Sequence, residues 1–147
     1  MSVWDDPAHV PPLDRAQLQA YMAFSTYITH LGLEVLRADA ARQEVAMRCP
    51  MRPEFERGVG SGQWHGGPIA AVIDTVADFA LTMMLGRALP TIDLRIDYLR
   101  PAVHTALLAT ARVRRQGRSV GVVDVDVENE AGVLVAIGRG AYATRLA

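Results

Sequence analysis

The stretch Gln63-Trp64-His65-Gly66-Gly67-Pro68, with the apolar run from Ile69 to Leu85 behind it, decides the fold of this 147-residue chain. The run is long enough for about five helical turns. Ile, Ala, Val, Phe, Leu and Met occupy almost every angle around its axis, so the spacing predicts a helix buried on all sides. Gly67 as N-cap and Pro68 as the first helical residue would start it, and Gly86 and Pro90 bracket its end. Only four polar residues interrupt the apolar positions. At about 100° per residue, Asp74, Asp78, Thr82 and Thr75 fall at roughly 0°, 40°, 80° and 100°, one narrow stripe. Two carboxylates on such a helix demand partners, because an unpaired buried charge is very costly.

Upstream, residues 1–12 carry three prolines and no periodicity and read as a loose arm, leaving residues 13–147 as a single domain. Asp14 and Gln17 form a variant capping box, with Leu13 and Leu18 as its hydrophobic staple. They open a short amphipathic helix that is expected to end near Tyr27. Strand pattern begins at Leu31, where Leu31, Leu33 and Val35 alternate with polar positions up to Ala38-Asp39-Ala40. A second strand runs through Val45 and Met47 until Pro50 and Pro53, and the two read as an antiparallel hairpin. Glu54 to Gln63, with Gly58, Gly60 and Gly62, reads as a mobile loop feeding the long helix.

Downstream, Ile92, Leu94, Ile96 and Tyr98 alternate with Asp93, Arg95 and Asp97 until Pro101. Thr105 to Arg115, Ser119 to Glu128 and Val133 to Thr144 then form a meander, joined by Gln116-Gly117-Arg118 and a polar loop. A fully apolar helix must be enclosed, and the sheet is the only large partner available. The expected fold is therefore α+β: a curved antiparallel sheet wrapped around a long central helix, with a short N-terminal helix. The outer face of the sheet carries alternating charges, part of which another subunit would cover.

A formal net charge of -1 carries no basic excess for nucleic acid or an anionic membrane. The lone Cys49 excludes an intramolecular disulfide and any multi-cysteine metal site. No N-terminal segment joins a basic head to an apolar run, and Asp74 and Asp78 break the longest apolar stretch, which argues against a membrane span. A cytoplasmic globular protein is expected.

Chemistry concentrates at the long helix. The free N–H groups at its entrance, with the helix dipole behind them, suit a developing negative charge, and Gly66 and Gly67 leave a carbonyl oxygen room to approach. The same glycines could simply make a tight turn. Asp74 is either a satisfied buried carboxylate or a base or nucleophile; burial and the like charge of Asp78 one turn away would raise its pKa. Gly66 and Asp74 lie about 12 Å apart along the axis, too far for one ester carbonyl to meet both. Oxyanion donor and carboxylate serving one reaction should therefore come from two copies of the chain, at a homodimer interface.

His65 abuts the glycines and could support the loop or polarise a substrate, whereas His9, His30 and His104 read as solvated; none has metal-ligand spacing. There is no Gly-x-Ser-x-Gly elbow and no Cys–His pairing for Cys49. Arg112, Arg114, Arg115 and Arg118 cluster about one turn, as a solvated edge or a grip on phosphates. Trp64, Phe79, Met83 and Met84 suit an apolar pocket and core equally.

The run His65-Gly66-Gly67-(six residues)-Asp74, with Thr91-Ile92-Asp93, Asp97-Tyr98-Leu99-Arg100-Pro101-Ala102 and Gln116-Gly117-Arg118, resembles the hotdog-fold acyl-CoA thioesterases. Within them it is most similar to the phenylacetate-degradation (PaaI-like) type, from about Leu31 to the C-terminus. The resemblance implies that the Gly66 N–H holds the thioester oxygen with His65 beside it. Asp74 of the partner subunit would be general base or nucleophile, and Thr91 would help orient the water. Gly67, Trp64, Asp78, Arg100 and Arg118 are the candidate substrate contacts, the two arginines toward the nucleotide end of coenzyme A. It implies a medium-chain or aryl acyl-CoA substrate, no cofactor beyond coenzyme A as part of that substrate, and a homodimer with shared active sites, often assembled as a dimer of dimers.

Two positions depart from the pattern. Relatives commonly carry Asn or Gln six residues before the motif histidine, where this chain has Val59; Ser61 or Gln63 are the available substitutes. Asp78 stands where many relatives have a small or hydroxyl residue. The competing readings are a hotdog protein that binds acyl-CoA without turnover, and a hotdog dehydratase, against which the double glycine speaks.

Overall fold

In the computed structural model, which describes residues 10–145, Asp14 caps α1 (Arg15–Tyr21) as the sequence predicts. Its carboxylate accepts from the Gln17 N–H at 2.8 Å, and the Gln17 side chain accepts from the Asp14 N–H at 2.9 Å. Most of the expected arm, with His9, lies outside the described residues. The helical segment does not stop at Tyr27. After a 3-10 turn over Met22–Phe24, Ser25 turns extended and its hydroxyl accepts from the Ile28 N–H, capping a second helix, α2 (Thr26–Leu31). Gly32, at φ 69°, ends α2 in the left-handed region that glycine tolerates. Leu31 is thus the end of a helix, and β1 begins only at Glu34 (Glu34–Asp39).

β2 (Glu44–Cys49) pairs antiparallel with β1, as expected of the hairpin. The 3-10 turn Pro53–Phe55 and a glycine loop then lead into α3 (Gly66–Leu85). β3 (Thr91–Tyr98), β4 (Leu107–Gln116), β5 (Val120–Glu128) and β6 (Leu134–Ala143) complete one six-stranded sheet, ordered β1-β2-β4-β5-β6-β3, with every pairing antiparallel. β4, β5 and β6 form the expected meander. β3 pairs with β6 rather than with its sequence neighbour β4, so it closes the sheet as an edge. The result is the α+β hotdog arrangement.

The sheet curls around α3, with Val72, Ile73, Val76, Ala77, Phe79, Ala80, Leu81 and Met83 in the core. Two glycines bring the helix down onto the strands. A Cβ on Gly138 would stand 2.5 Å from Ile73 Cγ2, and one on Gly121 would stand 2.6 Å from Leu81 Cδ1. Gly86, at φ 74°, ends the helix as expected. The Leu13 N–H donates to the Met83 carbonyl, satisfying one of the carbonyls the last turn leaves free.

The helix is not enclosed all round. Ala70, Ala71, Asp74 and Asp78 stay partly exposed along one stripe, because the sheet covers the other sides only. By length and composition α3 could cross a membrane, yet most of it is buried against the sheet. On the outer sheet face two clusters of charge are paired: Glu44 with Arg37 and Arg112, and Asp124 with Arg139 and Arg114. The two guanidiniums hold the Glu44 carboxyl below the usual carboxylate range, with the Arg112 hydrogen bond foremost.

Candidate functional site

The entrance of α3 is built by its flanks. The Trp64 N–H donates to the Ala102 carbonyl at 2.9 Å and the His65 N–H to the Phe55 carbonyl at 2.8 Å. The Trp64 ring stacks on Phe55 with centroids 5.4 Å apart, and its Nε1–H donates to the Thr105 carbonyl at 2.8 Å, so the indole is a fixed, buried wall. The N-cap is His65, not Gly67 as expected. Its backbone is extended, and Nδ1 accepts from the Gly67 N–H at 3.0 Å. Gly66 is therefore the first helical residue and Pro68 the third. The shift occurs because an imidazole can reach the second amide as Ser or Asp would. In the neutral ring, acceptance at Nδ1 leaves the proton on Nε2.

This arrangement divides the two glycines. The Gly67 N–H is spent on its cap, whereas the Gly66 N–H has no hydrogen-bond partner among the described residues. Gly66 lines a cleft of about 430 Å³ with Arg57, Gln63, His65, Ile69, Tyr98 and Arg100, while Trp64, Leu99, Pro101 and Ala102 add apolar wall. The Tyr98 hydroxyl donates to the Gly66 carbonyl at 2.8 Å, tying the end of β3 to the helix start. A free amide at a helix N-terminus beside an apolar cleft can receive the oxygen of a carbonyl as charge develops on it.

The carboxylate half lies two turns along. Asp74 Oδ1 accepts from the Thr91 hydroxyl at 2.9 Å and from the Tyr142 hydroxyl at 3.0 Å, and no described residue bonds Oδ2. Asp74 is neither buried alone nor ion-paired. The structure brings the expected pair Asp74 and Thr91 together and adds Tyr142, from β6, to which the sequence motifs do not extend. The available signal was Gly138 and Gly140, two side-chain-free positions on the helix-facing side of the same strand.

Asp78, on the same stripe, turns its carboxyl inward toward the end of the helix. Its Oδ1 accepts from the Leu89 N–H at 3.1 Å, beyond the end of the helix, and it does not line the cleft. Burial pushes its carboxyl up to about 8, assisted by the charge of Asp74 and opposed by the Leu89 bond. The native state thus holds a proton on Asp78 that the unfolded chain releases at the ordinary carboxylate value. This group disfavours folding progressively from about pH 4 to pH 8, by up to about 1.4 kcal/mol per pH unit, and the penalty is constant above that window. Asp78→Asn removes the titration. Thermal melts should show the variant gaining on the wild type between pH 5 and pH 8 and then holding its lead; a gap that does not change with pH contradicts this placement.

Arg100 lines the cleft, with its guanidinium donating to the Leu134 carbonyl at 3.0 Å. Arg118 does not join it, lying with Arg115 in a separate hollow at the β4–β5 turn. Arg112 and Arg114 are spent on outer-face ion pairs. Phe79 and Met83 are core, not pocket. The Cys49 thiol donates to the Leu31 carbonyl, and burial pushes it up to about 12, leaving it inert. Val59 is fully exposed at the tip of the glycine loop. The loop expected to be mobile is laced together: Glu56 accepts from the Gly60 and Gly62 N–H groups, and Ser61 Oγ from Gly58 and Gln63. Of the two substitutes for Val59, only Gln63 lines the cleft.

The family described as the thioesterase superfamily matches residues 61–136, from the glycine loop through α3 and β3 into β6. The chain is 37% identical over 111 residues to acyl-coenzyme A thioesterase PaaI of Escherichia coli K12, covering 75% of this chain and 76% of that one. It is 30% identical over 128 residues to the medium/long-chain acyl-CoA thioesterase YigI of Salmonella typhimurium, covering 76% and 81%. The solved structure of the E. coli PaaI protein, from the phenylacetic acid degradation operon, aligns with a TM-score of 0.75 at 27% identity, covering 88% of this chain and 90% of that one.

Proposed function

We propose that this chain, which belongs to the thioesterase superfamily and is a thioester hydrolase of the hotdog fold, cleaves medium-chain or aryl acyl-CoA to the free acid and coenzyme A. The observation that carries the reading is the uncommitted Gly66 N–H at the start of α3, lining an apolar cleft. The thioester oxygen sits against that amide, with His65 beside it. Asp74 Oδ2 takes a proton from water as the water oxygen bonds to the carbonyl carbon. The tetrahedral oxyanion is held at Gly66; as it collapses to the carboxylic acid the C–S bond breaks, and the leaving thiolate takes the proton back from Asp74, which restores the carboxylate. Arg100 and, from its own hollow, Arg118 are the cations available to the phosphates of coenzyme A, with Gly67 and Trp64 shaping the entrance.

Each site takes its carboxylate from the partner subunit of a homodimer. β3 is one of the sheet's two edges, with Ile92 57% and Tyr98 53% exposed, and an edge strand that exposes apolar side chains invites pairing with a second copy. One end of β3 touches the carboxylate half through Thr91, and the other touches the oxyanion half through Tyr98. Antiparallel pairing of two β3 strands about a twofold axis sets the Thr91 end of one copy beside the Tyr98 end of the other, which joins unlike half-sites. The small residues Ala70 and Ala71 on the open stripe of α3 allow the two helices to approach.

Thiol release measured across a panel of short, medium, long and aryl acyl-CoAs tests the activity. Turnover is expected on medium-chain or aryl members. Binding without release on every member would favour a non-catalytic acyl-CoA-binding protein, the reading to which the exposed Val59 points.

A further inference from the structure

Asp74 Oδ1 is held by two hydroxyls that reach it from paired strands, Thr91 on β3 and Tyr142 on β6. These two residues are direct cross-strand partners only because β3 is irregular there. The register runs Thr91↔Tyr142 and then Asp93↔Ala141, leaving Ile92 as the extra residue of a bulge. Strict alternation would point Thr91 outward with Asp93 and Arg95. The bulge turns it back to the helix side, next to Tyr142. Tyr142 has its own accommodation. Its ring is completely buried, and it lies where a Cβ on Gly140 would stand, 2.5 Å from the ring and its oxygen, so Gly140 leaves the space that the ring fills.

We infer that Tyr142 is a positioning residue for the hydrolysis: together with Thr91 it pins Asp74 Oδ1 and thereby presents Oδ2 as the oxygen that takes the proton from water. The inference rests on the reading of Asp74 as the base. Two donors on one oxygen fix the carboxylate plane, and removing either one withdraws a hydrogen bond from the charged form that a base needs. Burial first, then the Asp74 charge, drives the Tyr142 phenol far above its ordinary value, so it stays an O–H donor at every working pH. Among the described residues Asp78, on the same helix, also interacts with Asp74. Thr91, from β3, does not titrate.

The phenol oxygen also lies 3.1 Å from the Asp74 backbone carbonyl, and a tyrosine that merely tethers β6 to α3 would give its one proton there. The two roles separate in a pH–rate profile of thiol release, taken on the best acyl-CoA of the panel. Tyr142→Phe should lower kcat by about tenfold to a hundredfold with KM nearly unchanged, as expected for losing a hydrogen bond to a charged group. The acid limb of its profile should move to higher pH. Thr91→Val should act in the same direction, and the double variant should fall short of the product of the two losses. Asp78→Asn, profiled alongside, identifies any inflection that belongs to Asp78. Site-specific 3-fluorotyrosine at position 142, a more acidic donor with the same fold demands, should move the acid limb to lower pH.

A folded Tyr142→Phe enzyme with wild-type kcat, or one whose kcat falls while the acid limb stays in place, overturns the inference. Where the phenylalanine variant does not fold, an unmoved limb in the fluorotyrosine enzyme overturns it. Asp74→Asn distinguishes the two levels. Full activity in that variant removes the base reading and this inference with it, whereas an inactive Asp74→Asn beside an unaltered Tyr142→Phe removes this inference alone.

Discussion

Asp74→Asn is expected to lower kcat for acyl-CoA hydrolysis by about 10²–10⁴-fold, the range a general base supplies, while substrate binding changes little. The substitution changes almost nothing else. Asparagine keeps an oxygen at Oδ1, so the Thr91 and Tyr142 hydroxyls retain their acceptor and the link between α3 and the β3–β6 pair survives. What disappears is the second carboxylate oxygen, replaced by an amide that cannot take a proton from water. Removing the charge also withdraws the repulsion that helps push Asp78 up, so the Asp78 titration should move toward lower pH in the variant. The checks are steady-state thiol release and a thermal melt of the same preparation. Undiminished turnover by a folded Asp74→Asn enzyme sinks the mechanism. Single turnover in ¹⁸O-water adds a check on the base role: label should enter the product acid and not the Asp74 side chain, and label on Asp74 would make the carboxylate a nucleophile instead.

The parts of this fold written in the sequence are those whose physics is local. The Asp14–Gln17 capping box needs only neighbouring residues, and it forms as read. The strands of the meander follow from alternation, and α3 from its long apolar run. Errors fall where a side chain does an unfamiliar local job. Ser25 restarts a helix that the pattern had closing at Tyr27, and the His65 ring caps a helix that glycine was expected to begin. The partnering of β3 with β6 depends on a register between distant segments, which no local pattern encodes. The same limit explains the site. Asp74 announced itself as a carboxylate on an apolar helix, but its second donor comes from 68 residues away. The bulge at Ile92 that brings Thr91 to face the helix breaks the very alternation from which β3 was read. The acidic stripe is now divided: Asp74 is held by two hydroxyls, and Asp78 is tied to the Leu89 amide and carries a proton up to about pH 8.

Gly66→Pro is expected to cost about 10²–10³-fold in kcat while leaving the fold intact, because it deletes one backbone N–H and little besides. Gly66 is the first residue of α3, the position proline fits best in a helix. His65 before it is extended, at ψ 149°, the conformation a residue preceding proline prefers. A Cβ there would meet the Tyr98 ring at 3.4 Å, an ordinary contact. The variant therefore removes the proposed oxyanion donor but not the carboxylate, the complement of Asp74→Asn. Mixing the two inactive proteins with subunit exchange then distinguishes a shared site from one contained in a single chain. In a twofold-symmetric heterodimer with shared sites, one site collects both defects and the other collects none. Random exchange of equal amounts makes about half the dimers mixed, so about a quarter of wild-type activity should return. If each chain held its own complete site, every site in the mixture would carry one defect and nothing would return. No recovery, with subunit exchange verified by native mass spectrometry, would overturn the two-chain site and return the whole reaction to the single α3 helix, where the 12 Å rise from Gly66 to Asp74 stands against it.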